Sequence, residues 1–285
     1  MSDIRQVGVV GCGLMGSGIA EVCARAGVPV LVSEADPPRA AAGRARIESS
    51  LERALAAGKL DPAGREAALA RCSVTTDLDA LRGCDLVVEA IGEDVGAKLS
   101  LFATLDRVVA PGAVLASNTS SIPIARLAAA TSRPGAVLGI HFFNPAPVMR
   151  LVEIVPGLRT EPEVLVRCEA FVTDVLGKVA IRARDRAGFV VNGLLVPYLL
   201  AAIRMLEAGH ASADEIDQAM VLGCAHPLGP LALCDLIGLD TVLGISEALY
   251  DELRDPAMAP PPLLRRMVEA GLLGRKSGQG FSLHG

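Results

Sequence analysis

His141 closes the apolar run Val137–Ile140 and opens the block His141-Phe-Phe-Asn144-Pro-Ala-Pro147; Glu153 follows twelve residues later. Imidazole titrates near neutral pH, so a histidine at a strand end, beside an aromatic pair and a proline-stiffened loop, is a candidate general base. A carboxylate in reach would hold the ring in one tautomer and stabilise the imidazolium, as the acid of a catalytic triad does. Seen alone, such a histidine is more often a structural residue, and such a glutamate more often a surface or salt-bridge residue. A second polar block, Ser117-Asn-Thr-Ser120-Ser121, also follows an apolar run and precedes a helical pattern. Both blocks fall where open α/β sheets carry their chemistry, at the carboxyl ends of later strands.

A third constellation lies near the amino end. The run Val7-Gly-Val-Val10 ends in Gly11-Cys-Gly13-Leu14-Met15-Gly16, a helical pattern follows, and the next apolar run closes on Glu34, 23 positions after Gly11. This is the dinucleotide fingerprint with its acidic partner. Gly11 permits the tight turn, Gly13 lets backbone approach a pyrophosphate, and Gly16 lets the helix pack on the strand. The pyrophosphate would rest on the helix N-terminus at Leu14 and Met15. Glu34 would accept from the adenosine ribose hydroxyls and repel a 2′-phosphate, with no basic residue nearer in sequence than Arg39, so the expected cofactor is NAD.

Positioning these residues requires an alternating pattern of strands and helices. Strands are predicted at 6–10, 29–33, 86–90, 114–117, 137–141, 151–155 and 178–182, and helices at 14–26, 39–57, 62–71, 97–109, 122–130 and 162–176. The whole reads as a parallel, Rossmann-type doubly wound α/β sheet. Beyond Gly188 the strand pattern stops and helical windows take over, at 189–208, 212–222, 230–250 and 261–270. Ser212 with Glu215 forms a capping box, and Gly209, Gly223 and Gly271 are placed as helix ends. Two domains follow: 1–186, binding the nucleotide, and 187–285, all-helical. The apolar face around Leu194, Leu195, Tyr198 and Leu199 suits either a subunit contact or a core of its own.

Composition narrows the function classes. The 285 residues are 51% hydrophobic and 21% charged, with net charge −5 and no basic block, which argues against nucleic acid. Seven cysteines without a CxxC pair fit a reduced, cytoplasmic protein and argue against disulfides and zinc. Four dispersed histidines predict no metal. No signal peptide is evident at the amino end, and the apolar stretch 193–205 is too short to span a bilayer.

The blocks GCGLMGSGIA, DLVVEA, LASNTSSIPI, HFFNPAPVMRLVEIV, GFVVN, HPLGPLALCDLIGLD and GRKSGQGF resemble the 3-hydroxyacyl-CoA dehydrogenase family, and in particular its short, free-standing 3-hydroxybutyryl-CoA members, from about residue 6 to residue 281. The resemblance implies an NAD-dependent oxidoreductase that interconverts a short (S)-3-hydroxyacyl-CoA and its 3-ketoacyl-CoA. It implies that His141 takes the hydroxyl proton, that Glu153 pairs with His141, and that Ser120 and Asn192 bind the substrate oxygen. It assigns Glu93, Lys98, Ser120, Asn144 and Lys276 to the cofactor and Ser50 to the CoA portion. The family lysine seven residues after Ser50 is Ala57 here, with Lys59 as the expected substitute, and Gly92 replaces a usual valine. It further implies a homodimer through the helical domain. Two alternatives follow from the same resemblance: a relative acting on a hydroxyacyl group held by an acyl carrier protein in polyketide pathways, and a non-catalytic, crystallin-like scaffold.

Overall fold

The structure, a computed structural model, describes residues 3–284. The chain forms two compact units, the first ending at Asp185 and the second beginning at Arg186.

The first unit is built on a sheet of eight strands: β1 (Val7–Val10), β2 (Val30–Ser33), β3 (Cys72–Thr75), β4 (Leu86–Glu89), β5 (Val114–Ser117), β6 (Val137–Phe142), β7 (Leu151–Pro156) and β8 (Val179–Arg182). Their order is β3-β2-β1-β4-β5-β6-β7-β8. Six helices accompany them: α1 (Leu14–Arg25), α2 (Pro37–Ala56), α3 (Pro62–Arg71), α4 (Val95–Val108), α5 (Ile124–Ala128) and α6 (Pro162–Ala170), the last continued by a π-helical stretch, Phe171–Val175. Val7, Val9, Val32 and Leu86 pack with Ile19, Ile47 and Leu51, all fully buried. Strands covered on both faces read as continuous apolar runs rather than alternating ones, which is why β1, β4 and β5 are plain in the sequence.

Two features of this sheet depart from the sequence reading. Strand β3 is absent from the predicted strands; its four residues include Ser73 and Thr75 and only Cys72 is buried, so they carry little apolar signal. The sheet is also mixed rather than parallel, since β7 runs antiparallel to β6. The link of residues 143–150 is shorter than the dozen or so residues that a parallel crossover needs.

The second unit holds α7 (Val191–Glu207), α8 (Ala213–Cys224), α9 (Pro230–Ile237), α10 (Leu239–Leu253) and α11 (Pro262–Glu269). Leu199, Leu200, Ile203, Leu231, Leu239, Leu249 and Leu264 make its core. The capping box at Ser212 and Glu215 is present. The helix expected over 230–250 is two, because Gly238 adopts φ 101°, outside the helical region. Gly223 lies inside α8 instead of ending it, and Ala225 takes the left-handed position at φ 56°. Of the predicted apolar face, Leu199 is core while Leu194 is 74% exposed. Among the described residues, no helix is long and apolar enough to cross a membrane.

Candidate active site

The antiparallel pairing of β6 and β7 sets the central pair. In its register His141 lies directly opposite Glu153, and facing residues on neighbouring strands share one side of a sheet. His141 Nδ1 is 2.7 Å from a Glu153 carboxylate oxygen, and Glu153 is wholly buried. With Nδ1–H donating to a carboxylate, Nε2 is the nitrogen left to exchange a proton. Phe143 packs edge-on against the imidazole, with 4.6 Å between ring centroids. The Asn118 side-chain oxygen accepts from the Phe142 N–H at 2.8 Å and ties the end of β5 to the strand carrying His141. Lys178 braces the following loop, donating to the carbonyls of Ala146 and Met149 at 2.8 and 2.7 Å. Desolvation and the nearby Arg25 lower its pKa.

Order reverses in the sheet between β1 and β4, where open α/β folds bind nucleotides. A crevice of ≈ 720 Å³ opens there, lined by Gly11, Gly13, Glu34, Arg39, Arg46, Ala90 and Gly92, among others. Gly11 has φ 92°, and a Cβ there would lie 2.7 Å from the Ala90 carbonyl oxygen. A Cβ on Gly16 would lie 1.9 Å from the Gly11 carbonyl oxygen, so helix and strand meet too closely for any side chain. Gly13 differs: its φ is −67° and a Cβ would meet nothing within 4 Å, so neither conformation nor packing demands glycine. Space kept open at the start of α1, beside Leu14 and Met15, fits a closely approaching pyrophosphate. Glu34 accepts from the Cys12 N–H at 2.6 Å and the Ala35 N–H at 3.1 Å, so it also fastens the glycine turn. Burial, with Glu34 nearby, pushes the Cys12 thiol up to about 12, leaving it un-ionised at neutral pH. Arg39, the first basic residue after Glu34 in sequence, lines the same crevice, and so does Arg46 on α2.

Ser120 sits on the turn after β5, its N–H donating to Glu93 at 3.1 Å. The Glu93 carboxylate also receives the hydroxyls of Thr119 and of Ser121. Lys98, on α4, reaches Glu93 at 2.9 Å and Glu89 at 2.7 Å. Desolvation would raise the Glu93 carboxyl, but the Lys98 ammonium and the Thr119 and Ser121 hydroxyls prevail and hold its pKa below the ordinary value. Lys98 is 1% exposed, so the solvated helix face that its position in sequence suggests does not describe it.

Ser50 and Asn144 line a neighbouring cavity of ≈ 450 Å³ together with Leu14, Arg46 and Arg53. Asn144, which the resemblance assigns to the cofactor, lines this cavity as Ser50 does. Lys59, the expected substitute for the family lysine, is exposed beyond the end of α2, and Arg25 donates to its carbonyl. Arg46 and Arg53, on the same helical face as Ser50, bring the positive charge instead. The sequence signal for them was available: 46, 50 and 53 follow helical spacing.

Asn192 is the second residue of α7 in the helical unit. Lys276, in the 275–277 turn of that unit, pairs with Asp240. Among the described residues, no group of three or more His, Cys, Asp or Glu side chains is placed to hold a metal ion.

Comparison with known proteins covers nearly the whole chain. Residues 6–186 match the model of the 3-hydroxyacyl-CoA dehydrogenase NAD binding domain, and residues 188–284 match the family's C-terminal domain. The chain is 57% identical over 283 residues, 99% of each protein, to a 3-hydroxybutyryl-CoA dehydrogenase of Mycobacterium tuberculosis. The crystal structure of M. tuberculosis FadB2 superposes with a TM-score of 0.98 at 56% identity, covering 99% of both chains. That of the (S)-3-hydroxybutyryl-CoA dehydrogenase PaaH1 of Ralstonia eutropha gives 0.94 at 45% identity, covering 99% of this chain and 100% of the other.

Proposed function

Because the chain belongs to the 3-hydroxyacyl-CoA dehydrogenase family, NAD-binding domain included, we propose that it interconverts a short (S)-3-hydroxyacyl-CoA, such as 3-hydroxybutyryl-CoA, and the 3-ketoacyl-CoA. The observation that carries this reading is the buried His141–Glu153 pair on the strand beside the Ser120 turn.

In the oxidative direction His141 takes the 3-hydroxyl proton on Nε2 as the C3–H bond breaks. Glu153, buried against the ring, stabilises the imidazolium and returns it to the same tautomer. Ser120 donates a hydrogen bond to the oxygen as it becomes a carbonyl, a role that the family resemblance gives to Asn192 as well. Bound NAD supplies the hydride acceptor. Gly11, Gly13, Leu14, Met15 and Gly16 hold its pyrophosphate, Glu34 its adenosine ribose, and Glu93 the wall near the Ser120 turn. Asn144 and Lys276 belong to the cofactor set on the family resemblance, and Lys98 stands behind Glu93. Arg46 and Arg53 beside Ser50 suit the phosphates of coenzyme A, which favours a free CoA thioester over a group tethered to a carrier protein.

The test is NADH oxidation with acetoacetyl-CoA by the wild type and by His141→Ala and Glu153→Gln. Loss of the base should lower kcat by about 10²–10⁴, with NADH affinity unchanged as read by its fluorescence. Turnover by His141→Ala near the wild-type rate would remove it from the role of base. If the wild type binds NADH but leaves acetoacetyl-CoA untouched, the CoA substrate assignment fails.

A further inference from the structure

The first unit contains a set of buried charges that proton transfer by His141 does not use. Glu89 ends β4 with no exposed surface, and Lys98 in the first turn of α4 is 1% exposed. One Glu89 oxygen accepts from Lys98 at 2.7 Å and from the Ile91 N–H at 2.8 Å; the other accepts from the Ser117 hydroxyl at 2.6 Å. The Ser117 oxygen in turn accepts from the Thr119 N–H at 3.1 Å. Through its second contact, Lys98 holds Glu93, whose carboxylate receives the Ser120 N–H. The Thr119 hydroxyl oxygen also accepts from the N–H groups of Ser121 and Ile122, at 3.2 and 3.0 Å.

Burying the Glu89 carboxylate with the Lys98 ammonium is a poor way to gain stability, since apolar side chains of similar volume would serve as well or better; Glu93, the second carboxylate on Lys98, keeps an exposed side chain. The set does specify geometry. The groups it touches lie at the end of β5 or on the turns that follow β4 and β5. The first of these, through Ala90, Ile91, Gly92 and Asp94, lines the nucleotide crevice. The second carries Ser120. A single ammonium thus registers the crevice wall against the backbone at the substrate-binding serine.

We propose that Glu89 and Lys98 are positioning residues: the Glu89–Lys98–Glu93 chain, buried at Glu89 and Lys98 and seconded by Ser117, sets the place of Ser120 relative to the nucleotide crevice. The proposal rests on the function given above for Ser120. A misplacement of about 1 Å in such a group costs on the order of a hundredfold in rate.

The experiment compares Glu89→Gln, Lys98→Met, Lys98→Arg and the milder Ser117→Ala with the wild type. It measures acetoacetyl-CoA reduction, NADH affinity by fluorescence, thermal unfolding, and amide hydrogen exchange over residues 117–122. Expected are a kcat lower by about tenfold to a hundredfold in Glu89→Gln and Lys98→Met, with thioester KM and NADH affinity little changed. Exchange should rise at Thr119–Ile122 and not in β1 or α1, and Lys98→Arg should recover part of the rate. Unchanged kcat would overturn the proposal, as would a loss that follows the melting temperature with exchange rising across the sheet. NADH affinity falling in parallel with kcat in Lys98→Met would make Lys98 a direct cofactor ligand instead. Should Glu89→Gln fail to fold, Ser117→Ala and Lys98→Arg still carry the exchange and rate comparisons. If the wild type does not reduce acetoacetyl-CoA, the functional reading fails separately, and local exchange at 119–122 still decides whether the buried chain holds the turn.

Discussion

Glu34 has two tasks that pull on the same carboxylate. It fastens the glycine turn through the Cys12 N–H and presents a negative charge to whatever occupies the adenosine end of the crevice. Arg39 and Arg46 line that crevice already, so a 2′-phosphate would find two cations there once the repelling carboxylate is gone. Glu34→Ser alone is therefore expected to raise the NADPH-to-NADH ratio of kcat/KM by about tenfold, the equivalent of ~1.4 kcal/mol. Part of the NADH rate should fall with the lost ribose contact. The measurement is steady-state kinetics with both cofactors, and an unchanged ratio would mean that Glu34 does not face the ribose. His141 shows the limit of reading residues singly. A lone imidazole is more often structural, and the register of two strands is what sets Glu153 directly opposite His141.

At the scale of elements, the turn carrying Ser120 is held at both ends. Its start is held by the buried charges on β4 and α4. Its end runs into α5, which begins without a side-chain cap of its own. Asp185 supplies one from a distance, accepting from the N–H groups of Ile124 and Ala125 at 2.6 and 2.8 Å. Helix N-terminal amides without acceptors are costly, so Asp185→Ala should destabilise the protein by ~1–2 kcal/mol. It should register as a melting temperature lower by several degrees, with NADH affinity retained; a melting curve like the wild type's would show the cap to be dispensable. The hairpin of β6 and β7 is the other decisive element. A slip of one residue would send Glu153 to the opposite face from His141, so the Asn118 and Lys178 contacts at its loop end bear directly on the base.

For the molecule as a whole, the helical unit exposes Leu194 and Leu222, 74% and 81% accessible, together with Met205 and Leu236. An association surface is marked by a contiguous apolar patch rather than by side chains exposed singly; the family resemblance points to a dimer through this part of the chain. Sedimentation velocity at micromolar concentration should give twice the mass of one chain, and Leu194→Asp should shift the protein toward monomer. A wild type that sediments as a monomer would refute the assembly.

Local sequence determined a great deal about this protein. The glycine turn, the acid 23 positions on, the apolar runs of the buried strands and the capping box at Ser212 are short-range patterns. Backbone sterics, strand burial and helix capping act over a few residues, so their signatures are readable without a fold. Tertiary structure alone decided the rest, because it depends on contacts between residues far apart in the chain. It joined β3 to the sheet as a half-polar strand and turned β7 antiparallel, placing Glu153 opposite His141. It buried Lys98 between two carboxylates, one of them Glu89, and brought Arg46 and Arg53 rather than Lys59 to Ser50. A charge buried by long-range packing looks, in sequence, like one that faces water; the difference is made by which strands and turns close around it.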